Sequence, residues 1–314
     1  MPTSDSNTAG SPAGAPSLAG ERRVHETLIR WLLIAATGLS VVTTIGIVVS
    51  LLTETVGFFG EVPLGDFLTQ TEWTPSFTDP QFGILPLFTG TLLIAFISLL
   101  VAVPLGLGAA LYLSEYASPR ARRIFKPVLE VLAGVPTIVF GYFALTFFTP
   151  TVLNDLLGLD VPVFNALSAG IVMGFMVMPT IASISEDALS AVPLSLREGA
   201  YGLGANKMQV ATRVVFPAAL SGIVASIVLG VSRAVGETMI VLIAAGQKSN
   251  LTLDPRQPVE TITTFIARTA KGDIPQGSLV YKTIFAAGMT LFLMTLLMNA
   301  ISIRLVNRYR QVYE

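Results

Sequence analysis

Long stretches without a charged residue constrain this chain more than any other feature. Five such stretches are 31–53, 84–114, 131–154, 161–185 and 283–303, and a sixth apolar stretch, 214–247, is nearly free of charge. Only the last of them contains charges, those of Arg233 and Glu237. A transmembrane helix needs about 20 consecutive, mostly apolar residues, and the continuous runs lack the alternation typical of a transmembrane β-barrel. The sequence therefore predicts an all-α, polytopic membrane protein with six transmembrane helices.

The runs also set the expected domain organisation. We place the spans at about 28–53, 84–114, 127–150, 162–186, 217–247 and 281–304. Together they form one transmembrane domain, residues 27–314, with a polar loop, residues 188–216, between the fourth and fifth spans. Residues 1–26 combine a Ser-, Thr-, Gly-, Ala- and Pro-rich stretch with a basic flank, which predicts a disordered tail. The first run is too long for a cleaved signal peptide, so we interpret it as an uncleaved anchor.

The connections between the spans differ sharply in positive charge. Of the 19 Lys and Arg residues, thirteen lie in the two terminal flanks and in the second and fourth connections. The first and third connections have none. Positively charged connections stay on the cytoplasmic side, so both termini are predicted to be cytoplasmic. The fifth connection, residues 248–282, has five basic residues and is the exception. We expect it to be a solvated loop, with contact to an anion-carrying binding protein as the alternative.

The composition excludes most catalytic chemistry. The chain has 12% charged residues, no Cys and a single His, which is His25 near the start. Disulfides, Cys-ligated metals, His-cluster metal sites and Ser-His catalysis in the core are therefore excluded. No phosphate-binding P-loop pattern occurs, so any ATP hydrolysis must come from another chain. The sequence predicts a chain that is not an enzyme, with no catalytic residue, no metal site and no cofactor of its own.

Two charged residues inside the fifth span suggest a site. Arg233 and Glu237 are four residues apart, which places them on one face of a continuous helix. A charge at the centre of the bilayer costs about 2.5–3.5 kcal/mol even on the lenient insertion scale. One interpretation is a neutralising ion pair that fixes one helix. The other is a substrate-path site, in which Arg233 binds a phosphate-like oxyanion and Thr238 adds a hydroxyl.

The loop of residues 188–216 carries signals for a short helix, a turn and a second helix. Ser195 followed by Glu198 has the spacing of a capping box at a helix N-terminus. Gly204 provides a turn, and Pro217 stands in the first turn of the next span, where its missing N–H costs nothing. One interpretation is a structural linker between two spans. The other is a rigid helix that passes a motion to the membrane domain.

The spacing within this loop resembles a known motif. Glu198, Gly199 and Ala200, then three residues and Gly204, then nine residues and Val-x-Phe-Pro ending at Pro217, resemble the EAA loop of ATP-binding-cassette importer permeases. The resemblance implies a type-I importer permease fold. It further implies that these residues couple the chain to a cytoplasmic ATPase subunit.

Further segments resemble the phosphate importers within that class. Gly230-Val-Ser-Arg233-Ala-Val-Gly-Glu237-Thr238-Met-Ile-Val-Leu is similar to the fifth-span signature of PstC-type permeases, and the similarity extends over roughly 82–300. It implies that Arg233 and Glu237 act in phosphate passage by alternating access. It also implies a homologous PstA-type permease, two ATPase subunits that bind ATP and Mg, and an external phosphate-binding protein. A permease for sulfate or molybdate, and a membrane anchor that docks a cytoplasmic partner, are the alternatives.

Polar and aromatic residues outside these motifs have simpler expected roles. We expect Glu186 and Asp187 to form a solvated helix end, with contact to the ATPase as the alternative. Glu130 is expected to pair with one of the basic residues of the second connection. Trp73, Phe77, Phe82 and Phe88 are expected to mark the external membrane interface.

Overall fold

A computed structural model describes residues 22–309, with side chains for residues 26–304 and 306. Residues 1–21 of the predicted tail lie outside the described residues, and the rest of that tail already belongs to the first helix. The described range is helical, apart from loops and one isolated β-bridge between Trp73 and Phe82. The helices are α1 (Arg22–Phe59), α2 (Leu64–Thr69), α3 (Leu85–Leu111), α4 (Pro119–Ala133), α5 (Thr137–Phe143), α6 (Ala166–Ser190), α7 (Leu194–Gly202), α8 (Lys207–Val210), α9 (Phe216–Ala218), α10 (Leu220–Val235), α11 (Met239–Ala244), α12 (Ile262–Ala270) and α13 (Leu279–Tyr309).

Three π-helical segments continue these helices within the described range. These segments are Tyr112–Tyr116 after α3, Ala144–Leu156 after α5 and Ala211–Val215 between α8 and α9. Five continuous helical segments are long and apolar enough to cross a membrane. A pair of segments, Lys207–Ala218 and Leu220–Val235, meets at a bend of 70° and gives a sixth span if counted as one. The predicted all-α architecture with six spans is confirmed in this form.

Two spans differ from their predicted bounds at proline or glycine. The third span does not begin near residue 127, because α4 ends at Ala133 and the spanning segment runs over Thr137–Leu156. Pro136 before it has an extended backbone (φ −57°, ψ 133°) and lacks the N–H that would continue the helix. The fifth span does not continue unbroken to residue 247, because α10 ends at Val235.

Helices α3 and α6 pack closely against each other in the core. A Cβ added to Gly170 would lie 2.7 Å from the Cβ of Ile97, and one added to Gly174 would lie 2.7 Å from the Cβ of Val101. Only glycine permits such an approach of two helices. Helix α10 joins the same core, where a Cβ on Gly230 would also meet a side chain of α6. The three helices therefore pack through small residues.

The segment after α11 has irregular backbone but is anchored by hydrogen bonds. The backbone N–H groups of residues 165–167, at the start of α6, donate to the carbonyl oxygens of Ala244 (3.1 Å), Gln257 (3.1 Å) and Pro255 (2.7 Å). The first N–H groups of a helix have no partner within it, so these carbonyls satisfy them. The non-helical backbone of this segment is tolerated because its carbonyl groups accept hydrogen bonds from α6.

The fifth connection is folded, which corrects the expected solvated loop. It contains α12, and the fully buried carboxylate of Glu260 accepts hydrogen bonds from Arg268 (2.8 Å) and Ser249 (2.6 Å). Two of the four expected interface aromatics, Trp73 and Phe82, are also buried, whereas Phe77 is 71% exposed. Trp73 and Phe82 are only 2% and 9% exposed, because they pack in a cluster with aromatic rings of α1, α2 and α12.

Candidate functional site

The fifth span is broken where the intramembrane charges lie. Helix α10 ends at Val235, and α11 begins at Met239. In the break, the Glu237 carboxylate accepts hydrogen bonds from the backbone N–H groups of Met239 (2.9 Å) and Ile240 (3.2 Å). These N–H groups open α11 and have no partner within that helix, so the carboxylate caps it. The Glu237 backbone carbonyl in turn accepts a hydrogen bond from the Thr263 hydroxyl (2.8 Å).

The ion pair between Arg233 and Glu237, which was one of the two interpretations of these residues, is not formed. Arg233 Nη1 donates to the Thr180 hydroxyl of α6 at 3.1 Å, and no carboxylate forms an ion pair with Arg233 among the residues that the structure describes. The expectation failed because the i, i+4 geometry requires a continuous helix, and Gly236 ends α10 between the two residues. Thr238 lies in the same break, and its hydroxyl donates to the Gly236 carbonyl at 3.4 Å.

Arg233 therefore keeps an uncompensated charge inside a span. Its side chain is partly buried, and its hydrogen-bond partner, Thr180, is a neutral hydroxyl. A hydroxyl offers a dipole but does not neutralise a guanidinium, whose charge is costly in a membrane without an anion or water. The geometry can bind an anion at Arg233 without first breaking an ion pair.

The loop of residues 188–216 folds as the predicted helix, turn and helix. Glu198 and Gly199 are exposed on α7, whereas Ala200 packs against the apolar cluster beneath it. Gly204 follows α7 with φ +83°, a left-handed conformation that favours glycine. The Ala205 N–H bonds back to the Ala200 carbonyl (3.1 Å), which closes the end of α7 in a Schellman-type turn.

The helix starts in this loop differ in part from expectation. Pro193 precedes the first residue of α7, and Ser195 lies inside the helix, so the capping box expected at Ser195 is wrong. A capping box does form one helix later, between Asn206 and Gln209 at the start of α8. Pro217 stands in the first turn of α9, as its missing N–H predicts.

Large apolar side chains are exposed along this loop. Leu203 is 92% exposed, Leu194 70% and Met208 68%. Exposed apolar patches that are rimmed by charged residues commonly mark protein interaction sites. This part of the chain therefore has the character of an interface.

Sequence reasoning missed a buried carboxylate at the end of α6. Glu186 was expected to be solvated, but its side chain is 1% exposed and accepts hydrogen bonds from Arg122 and from Lys126 (2.7 Å) of α4. Asp187 is exposed and also binds Lys126 (2.8 Å). Hydrogen bonds from Lys126 to Asp187 and to Glu186 raise the pKa of its ammonium group. The expected pairing of Glu130 with these basic residues is absent from the described residues.

A second missed contact ties α7 to the spans. Arg197 Nη1 bonds to the Glu115 carboxylate at 2.5 Å, and Arg197 Nη2 donates to the Leu189 carbonyl at 2.8 Å. The only hint in the sequence is that Glu115 ends a long charge-free run, where a carboxylate needs a partner. Among the described residues, no group of three or more His, Cys, Asp or Glu could hold a metal ion.

Comparison with known proteins places the chain in a family. Residues 102–311 match the family described as "Binding-protein-dependent transport system inner membrane component". The "Probable ABC transporter permease protein YqgH" of Bacillus subtilis is 36% identical over 233 residues, 74% of each chain. The "Phosphate transport system permease protein PstC" of Haemophilus influenzae is 33% identical over 275 residues, 82% of this chain and 84% of the relative.

The fold is also found among solved structures. A chain of a bacterial alginate ABC transporter, solved with an alginate pentasaccharide-bound periplasmic protein, superposes with a TM-score of 0.64. The match covers 91% of this chain and 98% of the other, at 20% sequence identity. At this level of identity, the likeness establishes a shared importer-permease fold.

Proposed function

This chain belongs to the binding-protein-dependent transport system inner membrane components, and on that premise we propose that it carries inorganic phosphate through an ATP-driven importer. Membership of the family makes it a multi-pass membrane permease of an ABC importer. Phosphate as the substrate is supported by relatives named as phosphate permeases and by the fifth-span signature.

Arg233 is the observation that carries this proposal. It lies in a span, has no described carboxylate partner and holds its guanidinium against a neutral hydroxyl. A phosphate dianion has a prohibitive desolvation cost in hydrocarbon, and a guanidinium binds its oxygens through charge-assisted, often bidentate bonds. In the proposed mechanism, Arg233 binds the anion only briefly, because the binding is weak enough to allow release.

Glu237 and Thr238 have supporting roles in this proposal. The Glu237 carboxylate is held by backbone N–H groups and so leaves Arg233 free for the anion. The Thr238 hydroxyl lies in the break of the span, where a passing oxyanion would find a donor. The pathway itself lies at the contact with a second, PstA-type permease.

The loop of residues 188–216 is the proposed contact with the ATPase. The exposed Glu198–Gly199 face of α7 docks on that subunit, Ala200 and Gly204 fix the shape of the helix end, and Pro217 begins the return to the membrane. Two such ATPase subunits bind ATP and Mg, and an external binding protein delivers phosphate. Nucleotide binding opens the permease outward and hydrolysis resets it. Both termini are cytoplasmic in this arrangement.

Phosphate uptake by the whole complex in vesicles tests the proposal. Arg233→Ala and Glu237→Ala should each lower ATP-dependent phosphate uptake at least tenfold. Lys248→Ala, which removes a basic residue outside the spans, is the control and should leave uptake within twofold. Normal uptake in both site variants would refute the roles of Arg233 and Glu237.

Competing oxyanions test the substrate. Uptake of sulfate or molybdate but not phosphate would assign the chain to another oxyanion importer, which the EAA-type loop does not distinguish. A membrane anchor that docks a cytoplasmic partner would need no intramembrane arginine, and it would show no ATP-dependent uptake of any of the three anions.

A further inference from the structure

The start of the proposed coupling helix is held by one partly buried side chain. Arg197 of α7 is 14% exposed, and its ion-pair partner Glu115, in the π-helical turn that ends the second span, is 4% exposed. The other end of the guanidinium binds the Leu189 carbonyl, near the C-terminus of α6. Its Nε has no hydrogen-bond partner, so the two Nη contacts alone orient the group. One guanidinium thus joins α7 to the ends of two spans.

These two spans behave as one packed unit. The glycines of α6 bring it against α3 at Ile97 and Val101, so the helices cannot move apart or slide without losing this contact. Helix α6 also supplies Thr180, the hydroxyl that binds Arg233. Thr180 lies nine residues before Leu189, or about 14 Å along a helix. Helix α6, whose Leu189 carbonyl binds Arg197, therefore also contacts Arg233 in the fifth span.

We propose that Arg197 is the positioning residue that couples movement of α7 to the α3–α6 unit and, through Thr180, to Arg233. This inference rests on the proposed docking of α7 to the ATPase, but it does not depend on phosphate being the substrate. A planar guanidinium suits the role because it holds two acceptors in fixed directions. Lysine is a single point charge and cannot fix both Glu115 and Leu189 in this way.

The absence of cysteine from the chain provides a direct readout. A single Ser232→Cys substitution, next to Arg233 in α10 and only partly buried, reports the access of a water-soluble thiol reagent to this part of the fifth span. In the whole complex, the labelling rate should change at least fivefold when a non-hydrolysable ATP analogue is added. Arg197→Gln and Arg197→Lys in this background should remove most of that change, and the uptake per ATP hydrolysed should fall at least tenfold.

Two further variants make the result specific. Arg256→Gln is the matched control, because Arg256 pairs with Asp254 at 3.1 Å in a loop bonded to the opposite end of α6. It should keep the nucleotide-dependent labelling. The double variant Arg197→Gln/Glu115→Gln removes both charges of the buried pair. It should be no more impaired in coupling than the single Arg197→Gln, because the two residues act as a unit.

Three results would overturn the inference. The first is nucleotide-dependent labelling that persists in Arg197→Gln, and the second is a double variant whose labelling and uptake per ATP are normal. The third is loss of the copurifying ATPase in both Arg197→Lys and the double variant, which would make Arg197 a residue of assembly. If nucleotide changes the labelling of the unaltered chain while phosphate is not taken up, only the proposed substrate fails.

Discussion

Replacing Glu186 with glutamine tests how much the buried contact between α4 and α6 contributes to stability. The substitution keeps the volume of the side chain and removes its charge. Asp187→Asn makes the same chemical change at the neighbouring position, where the side chain is 63% exposed rather than 1%. The two carboxylates share Lys126, so the pair of variants compares a buried carboxylate that has two further donors with an exposed one.

The magnitude follows from the contacts of each carboxylate. Glu186 accepts hydrogen bonds from Arg122, Lys126 and Ser190, two of them charge-assisted. Hydrogen bonds to charged groups contribute about 1.5–3 kcal/mol each. Arg122 and Lys126 are 41% and 30% exposed and regain water when the charge is lost, which reduces the total. We expect Glu186→Gln to lower the free energy of unfolding by about 2–4 kcal/mol. An exposed pair such as that of Asp187 contributes less than about 1 kcal/mol.

Denaturant unfolding of the purified permease in detergent measures both values. The midpoint should fall in Glu186→Gln with little change of slope, because the surface exposed on unfolding is nearly the same. Raising the salt concentration should lessen the effect of Asp187→Asn more than that of Glu186→Gln. Equal losses in the two variants, or a larger loss in Asp187→Asn, would refute the role of burial.

Three further predictions concern glycines and a titrating group. Gly204→Ala, at φ +83°, should cost about 1–2 kcal/mol and weaken copurification of the ATPase, whereas Gly202→Ala, with open space around it, should not. Gly170→Ala forces α3 and α6 apart and should lower the thermal midpoint, whereas Gly108→Ala meets no neighbour and should leave it unchanged or raise it. The pKa of Lys126 is raised above 10.5, so its ion pairs should contribute fully below that pH and be lost as the pH rises through the raised pKa. A Lys126→Met variant should therefore differ from the unaltered chain by a constant free energy of unfolding between pH 6 and 9, and a difference that shrinks in this range would contradict the assignment.

The sequence predicted what depends on local pattern. Charge-free runs of sufficient length predict spans, and the spacing around Gly204 predicted a helix followed by a turn, which the structure shows at Gly204. Gly170 and Gly174 are four residues apart, a spacing typical of a close helix contact, and both lie against α3.

The sequence could not predict contacts between distant segments. Arg197 and Glu115 are 82 positions apart, and Arg122 and Glu186 are 64 apart, so no periodicity relates them. The break at Gly236 was missed for a different reason. Glycine is common inside membrane helices, so its presence alone does not show that a helix stops there. Arg233 and Glu237 therefore appeared to lie on one face of a continuous helix. In the structure no continuous helix contains both residues, because α10 ends between them.

The capped start of α11 has a consequence for selectivity. The Glu237 carboxylate is tethered close to the N–H groups that it binds. Its effective concentration at these groups is on the order of millimolar or more, and a free anion must compete with it. An anion at micromolar concentration cannot displace it, so the N–H groups of Met239 and Ile240 are closed to passing solutes. In the proposed mechanism, recognition then falls to the guanidinium of Arg233, which responds mainly to charge. Under that proposal, the site screens solutes by valence, and finer discrimination among oxyanions is left to the proposed binding protein.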